Sequence, residues 1–171
     1  MIRFGGGINS INNGKFRENH DNLQQFNLTW THRFNERFFS STELYYLYQL
    51  DAAKGGTCNF GLIKKYGGGG GCGPIIPGYS TALGAVNFIE LKVLEKNFLS
   101  FRTDFLDDYQ GQRTGFATSY MSFTLGLTHF ISSAIEVRPE VRYETAFSGT
   151  PYNNGTKKDQ TSFILDAIIR F

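Results

Sequence analysis

Ala134-Ile135-Glu136-Val137-Arg138-Pro139-Glu140-Val141-Arg142-Tyr143-Glu144 alternates from end to end. Ile135, Val137, Pro139, Val141 and Tyr143 share one face. Glu136, Arg138, Glu140, Arg142 and Glu144 share the other. A period of two is the mark of a strand with one apolar and one polar side, and no helix can sort these residues that way. Pro139 alone resists the assignment, because it brings no N–H to a ladder, and a local bulge is expected around it.

The same rhythm spreads outward from this stretch. Thr161–Phe171 sets Phe163, Leu165, Ala167, Ile169 and Phe171 against Ser162, Ile164, Asp166, Ile168 and Arg170. In Thr118–Phe130, Met121, Phe123, Leu125 and Leu127 oppose Ser122, Thr124, Gly126 and Thr128. In Phe98–Leu106, Leu99, Phe101, Thr103 and Phe105 oppose Ser100, Arg102 and Asp104. Leu83–Val93 is less clean. Phe38–Leu50 and Leu23–Phe34 alternate clearly, and Ile2–Ile8 is a short opening strand, which makes eight in all. The connections alternate in length too. Short turns fall at Asn35-Glu36, Glu95-Lys96-Asn97 and Ser132-Ser133, and long segments at 9–22, 51–81, 107–117 and 145–160. An up-and-down antiparallel barrel with one trimmed rim and one decorated rim has this pattern.

Composition agrees. The 171 residues include 17 Phe, 9 Tyr and 20 Gly, a mixture that favours strands and turns. No run approaches 18 apolar residues, so a membrane-spanning helix is excluded, whereas spanning strands are not. Seventeen Lys+Arg against 15 Asp+Glu leave a formal charge of +2, too small to argue for a nucleic-acid partner. The opening Met1-Ile2-Arg3-Phe4-Gly5-Gly6-Gly7 has no basic start followed by an apolar core. The expectation is therefore a single domain over 1–171 that forms the C-terminal part of a larger barrel.

Alternation does not say which face is wet. A soluble barrel is apolar inside and a membrane barrel is apolar outside. Two features favour the membrane. Trp30, Phe34, Phe38, Phe39, Phe98, Phe130 and Phe171 cluster near the short turns or the end of the sequence, where an aromatic girdle would sit. The sequence also closes on an apolar strand, Phe163, Leu165, Ala167, Ile169 and Phe171. This ending resembles the C-terminal signal by which outer-membrane barrels are recognised for assembly.

Further motifs extend the likeness. They are Gly56-Thr57-Cys58, the run Gly67–Gly71 with Cys72-Gly73-Pro74, and Asp108-Tyr109-Gln110-Gly111-Gln112-Arg113-Thr114-Gly115-Phe116. Arg138-Pro139-Glu140-Val141-Arg142-Tyr143-Glu144, Thr150-Pro151-Tyr152-Asn153-Asn154-Gly155 and Asp166-Ala167-Ile168-Ile169-Arg170-Phe171 complete them. Over roughly 38–171 the chain resembles the C-terminal half of the OmpL-like β-barrel porin family. The resemblance implies an outer-membrane channel, with outer-membrane lipid, the barrel assembly machinery and small hydrophilic solutes as partners. It brings no catalytic residues and no cofactor.

The candidate pore-lining residues are Arg102, Asp104, Glu136, Arg138, Glu140, Arg142, Glu144, Asp166 and Arg170, four basic and five acidic. In a wet lumen the opposed signs would set up a transverse field that filters polar solutes. In a narrow barrel they would form a plug of ion pairs. Cys58 and Cys72 lie in the Gly-rich segment 51–81, expected outside the cell, and a disulfide is expected between them. Closing about 15 residues would remove roughly 3 kcal/mol of unfolded-chain entropy. Gly67–Gly71 is not followed by Lys-Ser/Thr, so a phosphate loop is rejected. His20, His32 and His129 are too scattered for a metal or catalytic site. Three functions stay open: a porin for small hydrophilic solutes, a closed structural or adhesive barrel, and a soluble barrel for an apolar ligand.

Overall fold

The computed structural model describes residues 1–8, 23–55 and 73–170. Its strands are β1 (Ile2–Ile8), β2 (Gln24–Arg33), β3 (Phe38–Leu50), β4 (Tyr79–Leu94), β5 (Asn97–Asp108), β6 (Thr118–Phe130), β7 (Ile135–Ala146) and β8 (Asp159–Ile169). They form one antiparallel sheet in chain order. Each strand pairs only with its neighbours in sequence, and the sheet is open between β1 and β8.

Short polar side chains make the tight turns. Asn35 Oδ1 accepts the N–H groups of Arg37 at 2.8 Å and Phe38 at 2.9 Å, which fixes the β2–β3 turn. Ser132 Oγ does the same for Ala134 and Ile135 between β6 and β7, at 3.2 and 3.1 Å. Between β4 and β5 the register shifts between Lys92 and Leu94. All three turns close the same end of the sheet.

Exposure settles which face is enclosed. Along β6, Ser122 is 4% exposed and Thr124 7%, whereas Phe123 is 37% exposed and Leu125 48%. The register carries this parity across the sheet. Phe101, Leu125, Val141 and Phe163 lie in one row, and Arg102, Thr124, Arg142 and Ser162 lie in the next. The polar row is crowded and the apolar row stands open. Curvature toward the polar face has this effect, because side chains on a concave wall converge.

Pro139 is accommodated without a bulge. Its pairing with Leu165 of β8 is intact. Toward β6 the ladder breaks after Gly126↔Glu140 and resumes at His129↔Val137 in the same register. The sheet gives up two pairs where the proline has no N–H to offer, and keeps its alternation.

The rim aromatics divide between the faces. Trp30, His32, Phe34 and Phe38 pack ring against ring in series, stacked, edge to face and tilted in turn, with centroids 5.9, 4.4 and 4.8 Å apart. Phe39, Phe98 and Phe130 instead share the parity of Glu43, Arg102 and Thr124, so they lie on the concave face. Phe39 packs on Phe88 at 6.4 Å and Phe98 on Phe130 at 5.8 Å. The girdle expected from the sequence is therefore partly an inner collar at the short-turn end.

At the opposite end, the Asp108–Gly115 motif folds over the strand ends. Asp108 is fully buried. Its Oδ2 accepts the N–H groups of Arg113 and Thr114 at 3.0 and 2.8 Å and the Thr114 hydroxyl at 2.8 Å. Gln112 Oε1 accepts from the buried Ser80 hydroxyl at 2.7 Å, and Gln110 Oε1 accepts the Thr81 N–H at 2.9 Å. Gly111 turns the chain with φ 78°, a conformation that favours glycine. Hydrogen bonds to a charged group contribute about 1.5–3 kcal/mol each. Asp108→Ala is therefore expected to speed tryptic cleavage after Arg113 roughly ten- to hundredfold in the folded, detergent-solubilised protein. An unchanged rate would show that the turn is held by other means.

Candidate functional site

The charged residues of the concave face come together as two ion-pair groups. In the first, Arg102 meets Asp104 at 2.7 Å, Arg142 meets Glu144 at 2.8 Å, and Arg142 reaches Asp104 at 4.0 Å. The last contact spans β6, and it can do so because Ser122 between them is small. Its hydroxyl donates to Asp104 at 2.8 Å. In the second group Glu136 holds Arg170 at 2.6 Å and Arg138 at 3.7 Å, and Arg138 also pairs with Asp166. Most pairs follow from strand geometry. Residues two apart share a face, and register partners such as Arg138 and Asp166 stand side by side. Of the nine charged residues picked out from the sequence, Glu140 alone joins no ion pair among the described residues. It lies beside Ser100 at Gly126, where a side chain would collide with both.

The first group lines a cavity of about 520 Å³ toward the end of the sheet opposite the short turns. Tyrosines from three segments frame it: Tyr45 of β3, Tyr120 of β6, and Tyr152 of the β7–β8 connection. Tyr45 lies over Gly84, which has no side chain to obstruct the ring. The Tyr120 hydroxyl donates to Thr114 Oγ1 at 2.8 Å, and Thr114 donates in turn to the buried Asp108. The motif turn thus anchors a cavity wall. Tyr152 meets Tyr120 edge to face at 6.3 Å, in a turn closed by backbone pairing of Tyr152 with Lys157. Burial pushes the Tyr152 phenol up to about 12, the Glu144 charge adds to this, and Arg142 opposes it. The ring therefore stays uncharged at neutral pH.

Neither the tyrosines nor the inward acids Glu43 and Glu90 belong to the set picked out from charge clusters in the sequence. Glu43 and Glu90 could have been found by carrying the parity of Arg102 back through the register, and Tyr45 by the same step. Tyr152 could not, because it lies outside any strand. His32 packs between Trp30 and Phe34, and His129 Nδ1 lies 2.8 Å from Asn97 Oδ1, so both serve the rim. No group of three metal-ligating side chains occurs among the described residues. Cys58, Cys72, His20 and Phe171 lie outside the described residues. On β8, Phe163, Leu165 and Ile169 are widely exposed.

Residues 4–171 match the family model described as "Putative beta-barrel porin-2, OmpL-like". No curated protein and no solved structure shows a significant match.

Proposed function

Since the chain belongs to the OmpL-like β-barrel porin family, we propose that it forms the wall of an outer-membrane channel through which small hydrophilic solutes diffuse passively. The family implies a barrel in a membrane setting and a channel that is not an enzyme. The observation that carries the finer reading is the inversion of burial along β6. Ser122 and Thr124 are enclosed and Phe123 and Leu125 stand outward. A soluble barrel for an apolar ligand needs the reverse. Lipid is the natural partner of the outward face, and water of the charged one.

The pore-lining set then consists of Arg102, Asp104, Glu136, Arg138, Glu140, Arg142, Glu144, Asp166 and Arg170. The outward stripe of β8, Phe163, Leu165, Ala167 and Ile169, together with Phe171, would be the segment read by the barrel assembly machinery. The density of ion pairs also suits a closed, plugged barrel, and conductance separates the two. In planar bilayers the purified protein is expected to give stable ohmic steps, and in cells it should resist a carbonate wash of the membrane fraction. Tight insertion without conductance would favour the plug. Recovery as a soluble monomer would remove both readings.

A further inference from the structure

We infer that the cavity between Tyr45, Tyr120 and Tyr152 is a subsite for a neutral sugar of one or two pyranose rings. This deepens the channel reading and rests on one part of it, the wet lumen, and not on conduction. The size fits: about 520 Å³ lies within the range of small-molecule sites. So does the charge. Arg102 is matched by Asp104 and Arg142 by Glu144, at 2.7 and 2.8 Å, so the walls carry both signs in equal number. An anion or a cation entering would meet one attractive and one repulsive partner. A hydroxyl meets acceptors on the carboxylates and donors on the guanidinium groups, and needs no pair broken by a competing charge.

The aromatic rings decide between a sugar and a generic polar solute. A pyranose has C–H faces and a rim of hydroxyls. Its faces match aromatic rings and its rim matches charged pairs, and the cavity offers both together. Tyr45 spreads over Gly84 along the wall rather than standing into the lumen, which leaves ring surface available. Tyr120 and Tyr152 meet at 85°, so they present surfaces in two orientations. On the same concave face, toward the short turns, Phe39, Phe88, Phe98 and Phe130 continue the aromatic surface. An apolar ligand fits poorly, because it would strip water from four charged groups without replacing it.

The test separates binding from conduction. Saturation transfer from the detergent-solubilised protein to maltose C–H protons reports binding even if no current flows. Maltose is expected to receive saturation and to reduce ion current in bilayers in a saturable way. Sorbitol, with hydroxyls but no ring face, should do neither. Glucuronate should bind more weakly than maltose. Tyr152→Ala and Tyr45→Ala should each weaken maltose roughly three- to tenfold. Gly84→Ala, which displaces the Tyr45 ring without removing it, should weaken maltose too. Tyr79→Ala, on the outward face away from the cavity, should change nothing. Conductance without maltose binding overturns the subsite and leaves the channel. Maltose binding without conductance keeps the subsite and overturns the channel. Glucuronate equal to maltose, or maltose binding indifferent to all three cavity variants, overturns the assignment.

Discussion

Leu125→Arg is expected to lower the stability of the protein in lipid bilayers by about 2–4 kcal/mol, the cost of a charged side chain near the midplane of a barrel's lipid face. That is roughly a thirty- to thousandfold change in the folding equilibrium. Leu125 is the position to test because it lies in the middle of β6, points away from the crowded face and is 48% exposed. Its row partners are Phe101 on β5 and Val141 on β7, so no acid lies directly beside it. The matched control is Ser100→Arg. Ser100 faces inward, its register partner on β4 is Glu90, and Glu140 approaches it at Gly126. An arginine there stays in water beside acids and should cost about 1 kcal/mol or less. Denaturant unfolding in vesicles, followed by the fluorescence of the only tryptophan, Trp30, gives both values. Equal stability of Leu125→Arg and the unchanged protein would mean that the apolar rows do not meet hydrocarbon.

The fold was legible because the alternation is locally strong. Phe38–Leu50 and Thr118–Phe130 have the bounds expected from the sequence, since each strand ends where the period breaks at a turn or a loop. The start of β4 was not legible. Tyr79–Ala82 shows little polarity contrast, and those residues are strand only because they pair with Leu47–Leu50. The long segment expected over 51–81 therefore ends at Gly78. The direction of the faces was legible only indirectly, from the rim aromatics and the apolar closing strand, and not from the alternation itself. A period of two is symmetric under exchange of inside and outside, and the burial along β6 agrees with the face those features favour. The rim aromatics show the same limit. Distance from a turn gives a residue's height along the barrel and says nothing of its face, so Phe39, Phe98 and Phe130 were grouped with Trp30.

The site was half legible on similar grounds. Charges at i and i+2 pair along a strand, so Arg102–Asp104 and Arg142–Glu144 could be read directly. Contacts across strands depend on register, which turn lengths leave open by a residue or two. The Arg142–Asp104 contact, which spans β6, thus emerges only with the sheet in place. Asp108 falls in the long segment expected over 107–117, and its motif alone gives no sign of burial. Its full burial follows from the turn 108–115 closing over it, with left-handed Gly111 and Gly115.

Replacing both Arg138 and Arg142 with glutamine is expected to turn a weakly selective channel into a cation-selective one. The set picked out from the sequence changes from four basic and five acidic residues to two and five, and Glu43 and Glu90 add acid to the same face. The losses are not equivalent. Arg142 sits between Glu144 at 2.8 Å and Asp104 at 4.0 Å; Asp104 keeps Arg102 at 2.7 Å, so the removal of Arg142 frees one carboxylate, Glu144, and that one lines the cavity. The removal of Arg138 also frees one carboxylate, Asp166, because Glu136 keeps Arg170 at 2.6 Å, but Asp166 lies outside the cavity lining. Arg142→Gln alone should therefore produce most of the shift. In a KCl gradient the reversal potential should move toward the potassium potential, with a cation preference of roughly several-fold at 0.1 M, where the screening length is about 10 Å. At 1 M that length falls to about 3 Å and most of the preference should vanish. The opposite ranking, with Arg138→Gln dominant, would place the constriction nearer the short-turn end. Indifference to both replacements would mean that ions pass along another part of the wall.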